Sequence, residues 1–314
     1  MKTITLAHYY CTPDVQALAD YVGDSLDLAM RAVEEKPDRI VFAGVRFMAE
    51  TAKILNPGTE VILPDSGSSC SLVEQTNIQE LTAWVETKKR YGKMVNKEVV
   101  HVAYINSSAE HKALADIIVT SRIVDDVIRS IYDSGKSVIF SPDYNMGAYL
   151  NAQYGYNMPI WSAVCDVHDK FKADELERAM RVWTDGGKYV LAHPESPLPI
   201  LKKADYVGST HGMLNWVKNF PHKVGAIWVA TEEGLLYNMR QMRPDLVINQ
   251  APTYSGCQCN QCPFMKKNTI RAVMAAKQLG IGEKIDYLTD DQMDRARLPI
   301  ERMLEFQKTG DVNV

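Results

Sequence analysis

The chain has 314 residues, 46% hydrophobic and 24% charged, with a net charge of −4. That length exceeds what one core usually supports, so two or three domains are expected, and the mild acidity excludes the dense basic face that a nucleic-acid backbone demands. No apolar run approaches the roughly 18 to 20 residues that span a bilayer, and "MKTITLAHYY" opens as a strand instead of a signal peptide, so the expectation is a cytoplasmic protein with no membrane partner.

In chain order, "TITLAHYY" has a strand pattern, "PDVQALA" is a short helix opened by Pro13, "DYVG" a short strand, and "DSLDLAMRAVEEK" an amphipathic helix. The strand "RIVFAG", the helix "RFMAETAKIL" and the strand "EVILPD" follow and lead to Cys70. The same order returns as "VVHVAYINS", "EHKALA", "DIIVTS", "RIVDDVIRSIYDSG", "KSVIFSPD", "NMGAYLNAQYG" and "MPIWSAVC", ending at Cys165. It returns again as "KYVLAHPE", "PILKKA", "DYVGST", "HGMLNWVKNF", "KVGAIWVA", "EEGLLYNMRQM" and "LVINQAP", leading to a cysteine cluster. Short β-branched strands alternating with helices indicate a parallel sheet covered on both faces, so the fold class is α/β, in three homologous units. The stretches before the second and third units, "QELTAWVETKKRYGK" and "DELERAMRVWTDGGK", also match, and the first of them makes Lys88, Lys89 and Arg90 a solvated helix face. The tail after "CPF" has no fourth unit to feed and is expected to pack back on the first. The boundaries are then residues 1–71 with 264–314, residues 72–166, and residues 167–263.

Ligands of open α/β sheets gather outside the carboxyl ends of the strands. There the first strands of the units end in His8, Tyr9 and Tyr10, in Tyr104 and Asn106, and in His193 and Glu195. Any one of these could simply finish a strand; all three sets at the same edge point to a shared site. After the second strands come Ser25, Ser121, and Ser209 with Thr210, where a hydroxyl either caps a helix or joins its N-terminus in holding a carboxylate or phosphate. Gly23 and Gly208 precede two of these corners and are expected to let the chain turn.

Six cysteines in a cytoplasmic chain point to metal or burial before disulfides. Each unit ends in one: Cys70, Cys165, and one of Cys257, Cys259 and Cys262. His8 to Cys70 spans 62 residues and Tyr104 to Cys165 spans 61, whereas His193 lies 64 from Cys257 and 69 from Cys262, so spacing favours Cys257. Three thiolates converging about a threefold axis suit zinc or an iron–sulfur cluster, and three ligands on a four-iron cluster leave one iron open as a Lewis acid.

Through "LAHYY", "ADYVGDSLDLA", "FAGVRFMAETAKILNP", "AYINSSAE", "KALADIIVTS", "AHPE", "ADYVGST", "ATEEGLLY" and "CPFMKKNT", the chain resembles the quinolinate synthase family over nearly its whole length. The resemblance implies three three-layer α/β/α domains with parallel sheets, arranged with pseudo-threefold symmetry around a central active site. It implies condensation of iminoaspartate with dihydroxyacetone phosphate to quinolinate, phosphate and water in NAD biosynthesis. An L-aspartate oxidase or aspartate dehydrogenase would be the functional partner supplying iminoaspartate. It further implies a [4Fe-4S] cluster on Cys70, Cys165 and Cys262, the last against the repeat spacing. Tyr10, His193 and Glu195 would be the acid–base groups, and His8, Ser25, Tyr104, Asn106, Ser121, Ser209 and Thr210 the substrate-binding groups. The family's CxxCxxC run is here "CQCNQC", and Cys11 receives no role. On the residues alone two other readings stay open: an iron–sulfur hydro-lyase acting on a hydroxy acid, and a non-catalytic cluster or zinc sensor.

Overall fold

The computed structural model describes residues 2–254, 260–312 and 314. The first unit runs β1 (Thr3–His8), α1 (Pro13–Gln16), β2 (Tyr21–Gly23), α2 (Ser25–Glu35), β3 (Arg39–Ala43), α3 (Arg46–Leu55), β4 (Glu60–Leu63) and α4 (Ser71–Glu74). After α5 (Ile78–Met94), the second runs β5 (Val99–Tyr104), α6 (Ala109–Lys112), β6 (Ile117–Val119), α7 (Val124–Asp133), β7 (Ser137–Ser141) and α8 (Tyr144–Tyr154). After α9 (Ala173–Arg181), the third runs β8 (Gly187–Ala192), α10 (Leu198–Leu201), β9 (Tyr206–Val207), α11 (Thr210–Lys218), β10 (Gly225–Ala230), α12 (Glu233–Met242) and β11 (Val247–Gln250). The tail forms α13 (Ile270–Leu279), β12 (Glu283–Lys284) and α14 (Asp290–Thr309).

The three sheets share one pattern. Each first strand, β1, β5 or β8, lies between the second and third strands of its own unit, and all these pairings are parallel. Strands buried on both faces read as apolar runs, and "GAIWVA" is unbroken while "VVHVAY" is interrupted only by the buried His101. In the third unit alternate residues of β8 and β10 fill two separate cores, Leu191, Ile227 and Val229 on one face and Val190, Ala226 and Trp228 on the other. In the first two units Phe42 and Phe140 are fully buried in one continuous core, and burying such a side chain contributes about 2 to 3 kcal/mol. Among the described residues no helix is long and apolar enough to cross a membrane.

The tail adds β12 antiparallel to β4 and packs α13 on β3. Its last helix, α14, begins with a Thr289/Gln292 capping box and lies against α3 of the first unit and against α6 and β6 of the second. The tail thus ties two units together.

Two expectations are corrected. "MPIWSAVC" forms no strand: it meets β7 and its extension only at isolated bridges, Phe140 with Ile160 and Asp143 with Ala163. Pro142 sits in the extension of β7 and has no N–H to donate, so the ladder is interrupted there. Gly23 and Gly208 are not among the positive-φ glycines. They are needed for space, since a Cβ would come within 2.8 Å of Asp27 Cβ in one case and 2.5 Å of the Tyr206 hydroxyl in the other.

Beneath the second sheet His101 and His111 are buried and share one hydroxyl. His101 Nδ1 faces the Leu114 carbonyl at 3.0 Å, which can only accept, so the ring carries its proton there and its Nε2 accepts from Ser141 Oγ at 2.7 Å. Ser141 has then spent its proton and accepts from His111 Nε2 at 2.7 Å. Both rings are neutral; burial pushes His101 down to about 4 and His111 well below the usual imidazole range.

Candidate functional site

The carboxyl ends of β1, β5 and β8 open on one cavity. His8 and Tyr10 enter it from the first unit, Tyr104 and Asn106 from the second, His193 and Glu195 from the third. Ser25, Ser121, Thr210 and the three thiols Cys70, Cys165 and Cys262 line the same space. Of the residues expected at the site, Tyr9 and Ser209 do not line it, and the Ser209 Oγ caps α11, accepting from Gly212 N–H at 3.1 Å. Asp24 does the same for α2, accepting from Leu26 and Asp27 N–H, which leaves the Ser25 hydroxyl to the cavity. Cys257 and Cys259 lie outside the described residues. Cys11 is buried, with its thiol on the Ala43 carbonyl at 3.2 Å.

The aligned histidines are held alike. Tyr10 N–H donates to His8 Nδ1 at 3.1 Å and Glu195 N–H to His193 Nδ1 at 3.4 Å, so each ring keeps its proton on Nε2. His193 Nε2 donates to Ser121 Oγ at 3.1 Å. Burial pushes both imidazoles down to about 3, although the Glu195 charge opposes this. They are neutral hydrogen-bond donors across the physiological range.

Glu195 is buried, yet it is held below the usual carboxylate range. Burial opposes its charge, but His168, His193 and the Tyr104 hydroxyl outweigh that cost. His168 Nδ1 lies 2.7 Å from Glu195 Oε2, and Asn106 Nδ2 donates to Oε1 at 3.4 Å. Sequence reasoning missed His168, which stands three residues after Cys165 in "CDVH", a spacing familiar from metal sites. It also missed Thr231, whose Oγ1 lies 3.0 Å from His168 Nε2 and 2.8 Å from the Tyr10 hydroxyl. Burial, reinforced by the Glu195 charge, raises the Tyr10 and Tyr104 phenols well above their usual range, so both are un-ionised.

Burial likewise pushes the thiols up, Cys262 to about 11 and Cys70 and Cys165 further, so they are protonated without a metal and would release protons on binding one. The Cys262 loop is anchored by buried Glu232, which accepts from Cys262 N–H at 3.1 Å and pairs with Lys266 at 2.9 Å. Lys266 also donates to the Tyr10 carbonyl at 2.8 Å, fixing this loop to the end of the first unit's central strand. Among the described residues Cys165, His168 and Glu195 are the one group of three ligating side chains whose donor atoms fall within 4.8 Å of one another.

Charges bind the three helix corners together. Arg122 of the second unit contacts Asp24 at 2.6 Å and Asp27 at 2.9 Å in the first, and Asp27 lies 3.5 Å from His211 of the third.

The family model described as "Quinolinate synthetase A protein" matches residues 1–305. The quinolinate synthase of Microcystis aeruginosa is 38% identical over 98% of this chain and 91% of the relative. That of Cyanophora paradoxa is 38% identical over 98% and 88%, and that of Chloroherpeton thalassium 39% identical over 98% and 91%. A match of this length, running through every strand end that lines the cavity, places the chain in the quinolinate synthase family.

Proposed function

We propose that this chain is a quinolinate synthase that condenses iminoaspartate with dihydroxyacetone phosphate, releasing phosphate and water, in the assembly of NAD. The observation that carries the reading is that each unit delivers one thiol and its own strand-end polar groups to a single cavity. The matching sheet orders support three homologous α/β/α domains about a pseudo-threefold axis through that cavity, residues 1–71 with 264–314, 72–166 and 167–263. An enzyme that makes iminoaspartate by oxidising aspartate, an L-aspartate oxidase or aspartate dehydrogenase, would be its functional partner.

Three soft donors, one per unit and lining one cavity, fit a [4Fe-4S] cluster on Cys70, Cys165 and Cys262. When bound, such a cluster supplies a Lewis-acid iron free of protein ligands for a substrate oxygen. The chain's own groups do the rest. The substrates are anionic, carrying carboxylates and a phosphate, and the Ser25 and Thr210 hydroxyls stand at the N-termini of α2 and α11, where the helix dipole favours such charge. Ser121 adds a hydroxyl from the second unit. The Nε2–H groups of His8 and His193 stay neutral donors for developing negative charge on oxygen. Glu195, ionised in a dry site, and the Tyr10 phenol serve the proton transfers of isomerisation and ring closure. Tyr104 and Asn106 steady the Glu195 carboxylate.

Anaerobically reconstituted protein is expected to hold about four iron and four sulfide per chain, with a cluster spectrum that shifts when quinolinate is added. Cys70→Ala, Cys165→Ala and Cys262→Ala should each lose most of the iron and with it quinolinate formation. A Cys70→Ala protein with a full cluster and normal turnover would remove the ligand assignment, and tightly held zinc in place of iron would overturn the cluster.

A further inference from the structure

We infer that Lys112 is a built-in counter-charge for the cysteine site: a buried ammonium behind the Phe47 wall that pairs with no carboxylate and answers the negative charge of thiolates in the cavity. The inference rests on the cluster assignment proposed above.

Lys112 ends α6 and is fully buried, which a lysine almost never is unless it is paired. Its Nζ donates to the Ser107 carbonyl and lies 5.2 Å from the centre of the Phe47 ring, whose face attracts a cation. Glu50 of α3 contributes its charge, but its oxygens are taken: Oε2 accepts from Ala109 N–H at 3.0 Å and Oε1 from the Tyr287 hydroxyl at 2.7 Å. Among the described residues no carboxylate forms an ion pair with Lys112. An ammonium held in this way is costly, and burial pushes Lys112 down to about 7 while the Glu50 and Cys70 charges oppose the shift.

The other side of the Phe47 ring supplies the missing partner. Phe47 lines the cavity with Cys70, and Arg46 N–H, at the start of the same helix, donates to the Ser68 carbonyl at 2.8 Å, which joins α3 to the Cys70 loop. Among the described residues lining the cavity there is no lysine or arginine. Lys266, whose charge reaches Cys262, is spent on Glu232 at 2.9 Å. In the metal-free protein the thiols are protonated, and Lys112 has only the Glu50 charge to oppose it. Three thiolates holding a cluster put net negative charge in the cavity, and the apolar wall between lets the attraction act across it. Lys112 then favours whichever state of the site is more negative: thiolate over thiol, and reduced cluster over oxidised.

Lys112→Met keeps the length of the side chain and removes its charge, and Lys112→Gln also keeps an N–H for the Ser107 carbonyl. In reconstituted protein titrated with dithionite and read by electron paramagnetic resonance, both should lower the reduction potential. The expected change is about tenfold in the ratio of reduced to oxidised cluster, or about 59 mV for one electron. Iron content and the spectral shift with quinolinate should match the parent, since Lys112 does not line the cavity. Where Lys112→Met fails to load its cluster, Lys112→Gln gives the reading alone. A glutamine variant with the parent's potential would credit the hydrogen bond instead of the charge and overturn the inference. So would a potential that rises, or two variants within about twofold of the parent's ratio. A parent that holds zinc in place of a cluster would sink the cluster assignment itself, whereas a loaded parent whose potential neither substitution moves loses only the role of the lysine.

Discussion

Glu195→Gln is expected to lower kcat by about 10²- to 10⁴-fold while iron content stays at the parent level, because positioned acid–base groups contribute that much. The carboxylate gathers polar contacts from two other elements of the cavity, reached by His168, Tyr104 and Asn106. These partners keep it charged in a place where burial alone would neutralise it. The amide keeps the shape but cannot take a proton, and it turns an N–H or a weaker acceptor toward His168. Steady-state kinetics with paired iron analysis check the prediction. Turnover within about threefold of the parent would remove Glu195 from the proton transfers.

The metal-free protein should lose several kcal/mol of stability between pH 7 and pH 5. His8 and His193 are pushed down to about 3 and His101 to about 4, all from an unfolded value near 6.5. A group lowered on folding leaves the unfolded chain binding more protons, so stability is full above pH 6.5 and drains as pH falls toward the folded value. Each such ring then costs about 2 kcal/mol by pH 5, a large share of the 5 to 15 kcal/mol that holds a domain. Buried Asp143, raised well above the carboxylate range, works in the opposite direction and offsets part of the loss. Denaturant midpoints measured across this range, in the parent and in His101→Gln, separate the contributions. The variant should show a slope shallower by about 2 kcal/mol over the interval. A parent equally stable at both pH values, or a variant with the parent's slope, would contradict the account of the buried imidazoles.

The repeated unit was legible because parallel strands, buried on both faces, leave apolar runs that recur with the fold. "LAHYY" and "LAHPE" brought His8 over His193 and Tyr10 over Glu195, and the structure gives the two imidazoles the same backbone donor two residues on. Side-chain direction at the helix corners was not legible: Ser209 and Thr210 are neighbours, and geometry alone gives one to the cap and the other to the cavity. Strand pairing was misjudged where the partner, not the segment, carried the obstacle, since "MPIWSAVC" meets a β7 extension with proline in it. His168 opens a short 3-10 helix three residues after Cys165 where Met265 opens one three residues after Cys262, and Thr231 follows β10 where Gly44 follows β3, so comparing repeats could not find either residue. Spacing favoured Cys257 for the third thiol; Cys257 lies outside the described residues, and Cys262 lines the cavity.

The central claim, that this three-unit cavity makes quinolinate, is tested most directly by supplying the reconstituted enzyme with freshly generated iminoaspartate and dihydroxyacetone phosphate under anaerobic conditions. Quinolinate and inorganic phosphate should appear together in equal amounts, and neither should form with the Cys165→Ala protein. Protein with a full cluster that releases no quinolinate from these two substrates would contradict it.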